Sequence, residues 1–356
     1  MKDGKLQIAL VGCGMIGHGH AEAVINDPRA ELCALAYGRN AEKGRKFAEK
    51  FNIPFATNDY NEIIEKCHAD AVIICTPSAF HADCAKAFAN AGIHVLCEKP
   101  LDVTSEKISG MIDAAEKNSV LLGCVFPNRA QEGLRRAKEI IDSGELGSMR
   151  LVEFQYRGYR SHSYYSSSYW KGRKSIDGGG CLINQGIHGI DALLYLAGDV
   201  KSVCAVTDTM GRKIEVEDSA CALLEFESGA HGTLMGTVLS YFPEKNSECE
   251  RVRIEFEGGT IVYADGKTIL YKSLSDDELK TEEIHLSHVE QSFGANPEDI
   301  DMTAHFALVS NFFDGILNGA ELFAPARDAR RSVDLVLTIY KSAETRSWVN
   351  VPHYPR

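Results

Sequence analysis

Polar side chains recur at helical spacing just after the glycine run Gly178-Gly179-Gly180. Asn184 and His188 are four residues apart, so on a helix both side chains project from one face, with Asp191 three residues further on. An imidazole that titrates near neutrality can exchange a proton, and an amide can orient a hydroxyl. The alternative is a packing histidine that follows a tight corner. The stretch indicates proton chemistry without excluding that alternative.

A second candidate is Lys99, which lies in Glu98-Lys99-Pro100 after a strand-like segment that ends at Cys97. The proline favours an extended backbone at Lys99, which would direct the ammonium outwards. Oxidation of a secondary alcohol needs a hydride acceptor and a base, and burial or a nearby cation can lower a lysine pKa from about 10.4. An ordinary surface lysine is the alternative. Lys99 becomes a catalytic candidate if a nicotinamide binds beside it.

A dinucleotide site is indicated at the start of the chain. A strand-like run leads into Gly12-Cys13-Gly14-Met15-Ile16-Gly17, and a helix-like segment follows to about Asn26. In this context the glycines permit a tight turn and close approach to a pyrophosphate, which the helix N-terminus attracts. We therefore assign cofactor contacts to Gly12, Gly14, Met15, Ile16, Gly17, Gly38, Arg39, Thr76, Pro77, His81, Glu98 and Lys99.

The end of the second strand predicts which dinucleotide is used. NAD-specific domains usually carry an acid there, which binds the ribose 2′-hydroxyl, but Tyr37-Gly38-Arg39-Asn40 contains none. Gly38 leaves room, and the donor fork of Arg39 can bind a 2′-phosphate, with Lys43 and Arg45 nearby. We expect NADP(H) to be favoured over NAD(H). The alternative is that Arg39 stacks on the adenine or faces solvent, and that both cofactors bind.

Strand-like and helix-like segments alternate through the first part of the chain. This alternation predicts an α/β fold with a doubly wound parallel sheet, in which ligands bind at the carboxyl ends of the strands. Thr76-Pro77 and Glu98-Lys99-Pro100 are expected at those ends. We assign residues 1–126 to a dinucleotide-binding Rossmann domain.

The periodicity changes to two after a helix near residues 131–143. Strands are predicted at Met149–Tyr159, Val203–Met210, Ser219–Phe226, His231–Tyr241 and Arg251–Phe256. Turn residues such as Asp265-Gly266 predict hairpins, hence antiparallel neighbours. Residues 127–356 are assigned to a substrate-binding and oligomerisation domain, an α+β layer with a large open, mainly antiparallel sheet, whose C-terminal helix can pack back on the first domain.

Three local features complete this second part. A helix is predicted from Leu182 to about Gly198, carrying Asn184 and His188, and Ser161–Trp170 is predicted to be a mobile loop over the site. Apolar residues on both faces of the sheet indicate that a second subunit packs there.

Composition limits the class of protein. The 356 residues carry a formal net charge of −12, which opposes a broad nucleic-acid or membrane surface and favours a small-molecule partner. No apolar run approaches the roughly 20 residues of a membrane span, and no signal-peptide core begins the chain, so a cytoplasmic location is expected. The 11 cysteines form no Cys-x-x-Cys pair. We interpret them, including Cys75, Cys97 and Cys221, as buried reduced thiols, and expect no metal site.

Several motifs together resemble the glucose-fructose oxidoreductase and inositol dehydrogenase family across nearly the whole chain. They are Gly12 to Gly17, His20, Thr76-Pro77 with His81, Glu98-Lys99-Pro100, Gly178 through His188 to Asp191, Asp328-Ala329-Arg330-Arg331 and Val351-Pro352. The resemblance implies a Rossmann domain, a mainly antiparallel substrate domain, and homodimers or homotetramers formed through the open sheet. It also implies hydride transfer between a nicotinamide cofactor and a secondary hydroxyl or ketone of a sugar, sugar derivative or cyclitol, with Lys99 and His188 handling the proton.

One residue departs from the family pattern. Family members often carry Asp where this chain has Asn184, and an amide can neither take up a proton nor stabilise an imidazolium by charge. We therefore assign Asn184 to substrate orientation, and keep Tyr156, Tyr159 and Tyr164 as further contributors. Substrate contacts are assigned to Lys99, Asn128, Tyr156, Trp170, Asn184 and His188.

Three other polar residues have structural interpretations. Asp191 is expected to brace its helix, His20 to pack beneath the phosphate loop, and His81, if it does not contact the cofactor, to face solvent beside a helix start.

Two other functions stay open at this point. One is a nucleotide-dependent sugar-sensing regulator without turnover, because a fold alone does not establish an activity. The other is a redox-neutral, NAD-dependent glycosidase, a chemistry that the family includes. The presence of both Lys99 and His188 favours the dehydrogenase.

Overall fold

The computed structural model describes residues 1–241, 249–275, 280–286 and 301–354. The chain forms two compact units. The first comprises residues 1–127 and 302–330, and the second comprises residues 128–301 and 331–356. Among the helices within the described ranges, none combines the length and apolar character needed to cross a membrane.

The first unit is built on a six-stranded sheet. Its strands are β1 (Leu6–Val11), β2 (Ala30–Ala36), β3 (Phe55–Thr57), β4 (Ala71–Ile74), β5 (His94–Cys97) and β6 (Leu122–Cys124). All neighbours are parallel, in the order β3-β2-β1-β4-β5-β6. Its helices are α1 (Met15–Asn26), α2 (Ala41–Lys50), α3 (Tyr60–Lys66), α4 (His81–Asn90), α5 (Ser105–Lys117) and α10 (Thr303–Asn318), with a 3₁₀ turn at Ser78–Phe80. The predicted doubly wound Rossmann fold is confirmed.

Burial explains why these strands form a parallel sheet. Every residue of β1 and of β4 is buried, as expected for strands covered by helices on both faces. The strand order reverses between β1 and β4, and this is where ligands of such sheets collect. The loops after β1, β4 and β5 leave from that one edge, so the fold brings the predicted cofactor residues of these loops together.

The second unit is built on a nine-stranded sheet. Its strands are β7 (Met149–Arg157), β8 (Val200–Asp208), β9 (Ser219–Phe226), β10 (His231–Thr237), β11 (Glu250–Phe256), β12 (Gly259–Ala264), β13 (Lys267–Ser273), β14 (Thr281–His285) and β15 (Val349–Asn350). The order is β14-β13-β12-β11-β7-β10-β9-β8-β15. The mainly antiparallel sheet is confirmed, with one correction. β7 and β10 pair in parallel, because the chain between them crosses over through helices and two further strands instead of a hairpin.

The second unit also contains helices. They are α6 (Glu132–Ser143), α7 (His162–Ser166), α8 (Lys174–Asp177), a π-helix (Cys181–Gly186), α9 (Ile187–Ala197) and, from residue 331 onwards, α11 (Ala326–Thr345). Of these, α6, α9 and the π-helix between them in sequence pack on this sheet. Two expectations are corrected here. The Ser161–Trp170 segment contains α7, because Ser161 caps it by accepting from Tyr164 N, and the helix predicted from Leu182 begins as a π-helix.

The other face of the nine-stranded sheet remains open. Leu223 of β9 is 54% exposed and Val206 of β8 is 67% exposed, whereas Leu224 beside them is buried. Cys221, which the sequence predicted to be buried, is exposed because its strand position points to this open face. None of the eleven cysteines forms a disulfide.

Candidate active site

The loop between β1 and α1 is shaped by glycines. A Cβ on Gly12, whose φ is +108°, would lie 2.5 Å from the carbonyl oxygen of Cys75, and one on Gly17 would lie 2.7 Å from that of Gly12. Gly14 precedes α1 in extended conformation, and no side chain caps the helix. The first N–H groups of α1 are therefore available to an anion, and this geometry fits the pyrophosphate of a dinucleotide.

The end of β2 leads into a basic surface. Gly38 has a φ of +72° and open space around its α-carbon, Arg39 is exposed, and Asn40 caps α2 by accepting from Lys43 N at 2.9 Å. Asn40 and Lys43 also line a cavity of about 460 Å³, whose other lining residues are His18, Glu42, Lys46, Phe47 and Lys50. Arg39 and Lys43 therefore lie just after β2, where the adenine ribose is expected.

Glu98, directly after β5, forms a buried pair with His20 of α1. Glu98 Oε1 lies 2.8 Å from His20 Nε2, and Glu98 Oε2 accepts from Lys99 N at 3.1 Å. Burial alone would raise the pKa of the Glu98 carboxyl, but the hydrogen bond with His20 and neighbouring positive charges outweigh it and lower this pKa to about 2. Glu98 thus carries an anchored negative charge that holds the backbone of Lys99. His20 packs beneath the loop, as its structural interpretation predicted.

His81 is buried at the start of α4, so its predicted solvent position is wrong. Its ring nitrogens lie 2.8 Å from the carbonyl oxygen of Pro100 and 2.7 Å from that of Thr76. The ring therefore ties the loop after β4 to the loop after β5. Within the described residues, the buried hydroxyl of Thr76 has no hydrogen-bond partner. Pro77 follows it and starts the 3₁₀ turn.

In the second unit, the glycine run is held by Glu217. The Glu217 carboxylate accepts from Gly180 N at 2.8 Å, from Leu182 N at 3.0 Å and from the Tyr340 hydroxyl at 2.8 Å. A side chain at Gly180 would overlap the Glu217 carbonyl. Burial raises the pKa of Glu217, and the accepted hydrogen bonds oppose that rise. A buried carboxyl group therefore anchors the start of the π-helix.

The π-helix presents a connected polar network. Asn184 Nδ2 donates to Asp177 Oδ1, and Asp177 Oδ2 accepts from Gly172 N at 2.8 Å. Asn184 Oδ1 accepts from Gln185 Nε2 at 2.7 Å. Because a carboxylate can only accept, Asp177 fixes which end of the Asn184 amide faces it. Asn184 replaces the Asp that family members often carry, and its side chain is hydrogen-bonded to the carboxylate of Asp177.

His188 lies at the second position of α9 and is half-buried, like Asn184. Asp191, one turn later, accepts from Arg129 Nε and Nη2, both at 2.7 Å, and both side chains are buried. This bidentate pair ties α9 to the segment that precedes α6, which confirms that Asp191 braces its helix.

Two of the predicted substrate residues are interior in the second unit. Asn128 Nδ2 donates to Glu250 Oε1 at 3.1 Å, and both Asn128 and Tyr156 are buried. Burial, followed by the charge of Asp265, raises the pKa of Glu250 to about 8. Trp170 is half-buried beside Lys171, with the ammonium 5.9 Å from its ring. Asn128 and Tyr156 are therefore buried, whereas Trp170 is half-buried.

Sequence reasoning missed the supporting carboxylates. These acids lie in different segments of the sequence, and folding brings each to its partner: Asp177 to Asn184, Glu217 to Gly180 and Glu250 to Asn128. Asp177 directly precedes the glycine run, and this was the one signal available in the sequence.

The fold and the glycine loop together define a dinucleotide-binding protein, and comparisons with known proteins agree. A family model described as "Oxidoreductase family, NAD-binding Rossmann fold" matches residues 6–126, and one described as "GFO/IDH/MocA C-terminal domain" matches residues 134–262. Myo-inositol 2-dehydrogenase from Thermotoga maritima is 30% identical over 64% of this chain and 67% of its own.

Levoglucosan dehydrogenase is similar over nearly the whole length. The enzyme from Pseudarthrobacter phenanthrenivorans is 26% identical over 98% of each chain. A solved structure of levoglucosan dehydrogenase with NADH and levoglucosan matches with a TM-score of 0.85 and 25% identity, covering 98% of this chain and 100% of that chain. The chain belongs to the GFO/IDH/MocA family of oxidoreductases, as its motifs predicted.

Proposed function

We propose that the protein transfers a hydride between a nicotinamide cofactor and a secondary hydroxyl or ketone of a sugar, sugar derivative or cyclitol. The observation that carries this proposal is family membership over both units, joined to an uncapped α1 N-terminus behind the glycine loop. The similar proteins named above act on an anhydrosugar and a cyclitol, which supports this substrate class.

The proton is handled by Lys99 and His188 in this proposal. In the oxidising direction the hydroxyl loses its proton to a base, and the carbinol carbon loses a hydride, which leaves a ketone. A bound nicotinamide supplies the hydride acceptor. Lys99 follows the Glu98 anchor, and His188 lies on α9 one turn beyond Asn184. Asn184, whose amide is oriented by Asp177, holds the reacting hydroxyl.

NADP(H) is the preferred cofactor in this proposal. Arg39 and Lys43 follow β2 where an acid would exclude a 2′-phosphate, and Gly38 leaves the space open. Levoglucosan dehydrogenase has been solved with NADH, so the preference is proposed as a property of this chain's own loop.

The chain is proposed to act as a homodimer or homotetramer in the cytoplasm. The open face of the nine-stranded sheet exposes Leu151, Val206, Leu223 and Met235, and a second copy would bury them. Eleven cysteines without a disulfide suit a reducing compartment.

The test is a screen of inositols, aldoses and sugar nucleotides with NAD⁺ and NADP⁺, followed by the absorbance of the reduced nicotinamide. Net reduction with a polyol or sugar is expected. Tight sugar binding without any turnover would instead identify a regulator. Cleavage of a glycoside without net reduction would identify the redox-neutral hydrolase.

A further inference from the structure

Two cations lie close to one aromatic ring in the second unit. The Arg160 guanidinium lies 5.4 Å, and the Lys171 ammonium 3.9 Å, from the centre of the Tyr164 ring. The Trp170 ring lies 5.9 Å from the same Lys171 ammonium. All four side chains are half-buried, so they form an aromatic surface with two positive charges that is still accessible.

The hydrogen-bond partners of these cations are neutral. Arg160 donates to Gln185 Oε1 at 2.6 Å and to the carbonyl oxygen of Tyr159 at 2.9 Å, and Lys171 donates to Ser167 Oγ at 3.3 Å. Within the described ranges, neither cation forms an ion pair with a carboxylate.

Asp177 is the acid whose field reaches Lys171. Burial lowers the Lys171 pKa, the Asp177 carboxylate opposes that shift, and the charge of Arg160 adds to it, so the pKa is lowered overall. Asp177 accepts hydrogen bonds from Gly172 N and Asn184 Nδ2. Two cations thus share one nearby carboxylate, and that carboxylate has other hydrogen-bond partners.

Half-burying two like charges that form no ion pair with a carboxylate is unfavourable. An anion that contacts both cations would form charge-assisted hydrogen bonds, which are about twice as strong as neutral ones. The apolar faces of Tyr164 and Trp170 suit the C–H face of a sugar ring. The arrangement thus matches a carbohydrate that carries a negative group.

The cations are joined to the polar network that is proposed to hold the reacting hydroxyl. Gln185 accepts from Arg160, donates to the Tyr164 hydroxyl at 3.0 Å and donates to Asn184 Oδ1 at 2.7 Å. A ligand group bound by Arg160 and Lys171 would therefore be one hydrogen-bond relay away from Asn184.

We propose that the substrate is an anionic sugar derivative, whose carboxylate or phosphate ester is bound by Arg160 and Lys171. This inference rests on the proposed function. A uronate and a sugar phosphate share one chemical feature, a fixed negative charge on a polyol.

The experiment compares D-glucose, D-glucuronate and glucose 6-phosphate in steady-state kinetics and in calorimetric binding. Anionic sugars are expected to show at least a roughly 10-fold advantage in kcat/KM, as for one added charged hydrogen bond. Lys171→Met should remove that advantage through KM and leave D-glucose unchanged. Lys174→Met, an exposed lysine of the same segment, is the matched control. The two anionic probes distinguish a carboxylate site from a phosphate site.

Arg160→Lys provides a second variant, because it keeps the charge and removes the planar fork. It should weaken anionic sugars less than Lys171→Met does. Equal kcat/KM for neutral and anionic sugars would overturn the inference. So would a loss of the anionic advantage in Lys174→Met as large as that in Lys171→Met. Failure of both anionic sugars to bind would overturn it as well. Turnover of neutral sugars alone would retain the proposed function and reject the anionic site. If an anionic sugar binds without turnover and Lys171→Met abolishes that binding, the anionic site would be retained and the proposed function rejected.

Discussion

Glu98 Oε1 and His20 Nε2 are 2.8 Å apart in the interior of the first unit, where the carboxylate also accepts from the backbone of Lys99. The pair converts a buried acid into a fixed structural charge directly before the candidate catalytic lysine. A loss of this charge should therefore be visible both in stability and in the geometry of the loop.

Glu98→Gln should lower the free energy of unfolding at pH 7 by roughly 1–3 kcal/mol. The folded-state pKa of Glu98 is depressed from 4.5 to about 2, so its stabilisation is complete above pH 4.5 and disappears as the pH falls towards 2. Urea unfolding at pH 7 and pH 3 should show a smaller difference between wild type and variant at the lower pH. The exposed Glu106→Gln is the control, and a difference that does not change with pH contradicts the assignment.

Lys99→Met should lower kcat by about 10²-fold or more, because a general acid or base is lost. Cofactor binding, measured by fluorescence titration, should stay nearly intact, since the backbone contact with Glu98 does not require the ammonium. The exposed Lys117→Met should turn over normally. Near-normal turnover in Lys99→Met would remove the lysine from the mechanism.

Swapping the side chains of Asp177 and Asn184 tests the hydrogen bond between them. Asn184→Asp alone places two carboxylates together, so we expect a kcat/KM loss of about 10-fold and the raised pKa of a carboxyl pair. The double variant Asp177→Asn with Asn184→Asp restores one amide facing one carboxylate and should recover part of the loss. Kinetics over pH 5 to 9 measure this coupling. Additive losses in the double variant would mean that the two side chains act independently.

Arg39→Ala should weaken NADP(H) by about 10-fold or more and leave NAD(H) nearly unchanged, because only the 2′-phosphate can use the guanidinium fork. Titration with each cofactor measures the effect. Arg45→Ala, further along α2, should change the affinity less. Equal or tighter binding of NAD(H) by the unaltered protein would show that the loop does not select the phosphate.

The features that could be predicted from the sequence are those that one short local pattern determines. Gly12 and Gly17 must be glycine because neighbouring backbone leaves no space for a Cβ, and that requirement is visible in one short motif. The alternation of β9 was equally visible, because one of its faces is buried and the other is open.

The remaining features depend on contacts between segments far apart in the chain. Glu217 meets Gly180 only after the sheet has formed, and no spacing rule links them. The parallel pairing of β7 and β10 is likewise a property of the crossover. β14 was missed because four of its five residues are exposed, which leaves no periodic apolar pattern to detect.

Cys221 lies on the open sheet face between Val206 of β8 and Met235 of β10. Of the eleven cysteines, all of which lie within the described ranges, it alone is exposed, and the others are buried or half-buried. In a separated subunit a thiol-reactive dye would therefore find its most accessible target on the surface through which a second copy is proposed to pack, and that packing would protect the thiol. The natural sequence thus provides an attachment point for a spectroscopic reporter of subunit exchange, without any engineered residue.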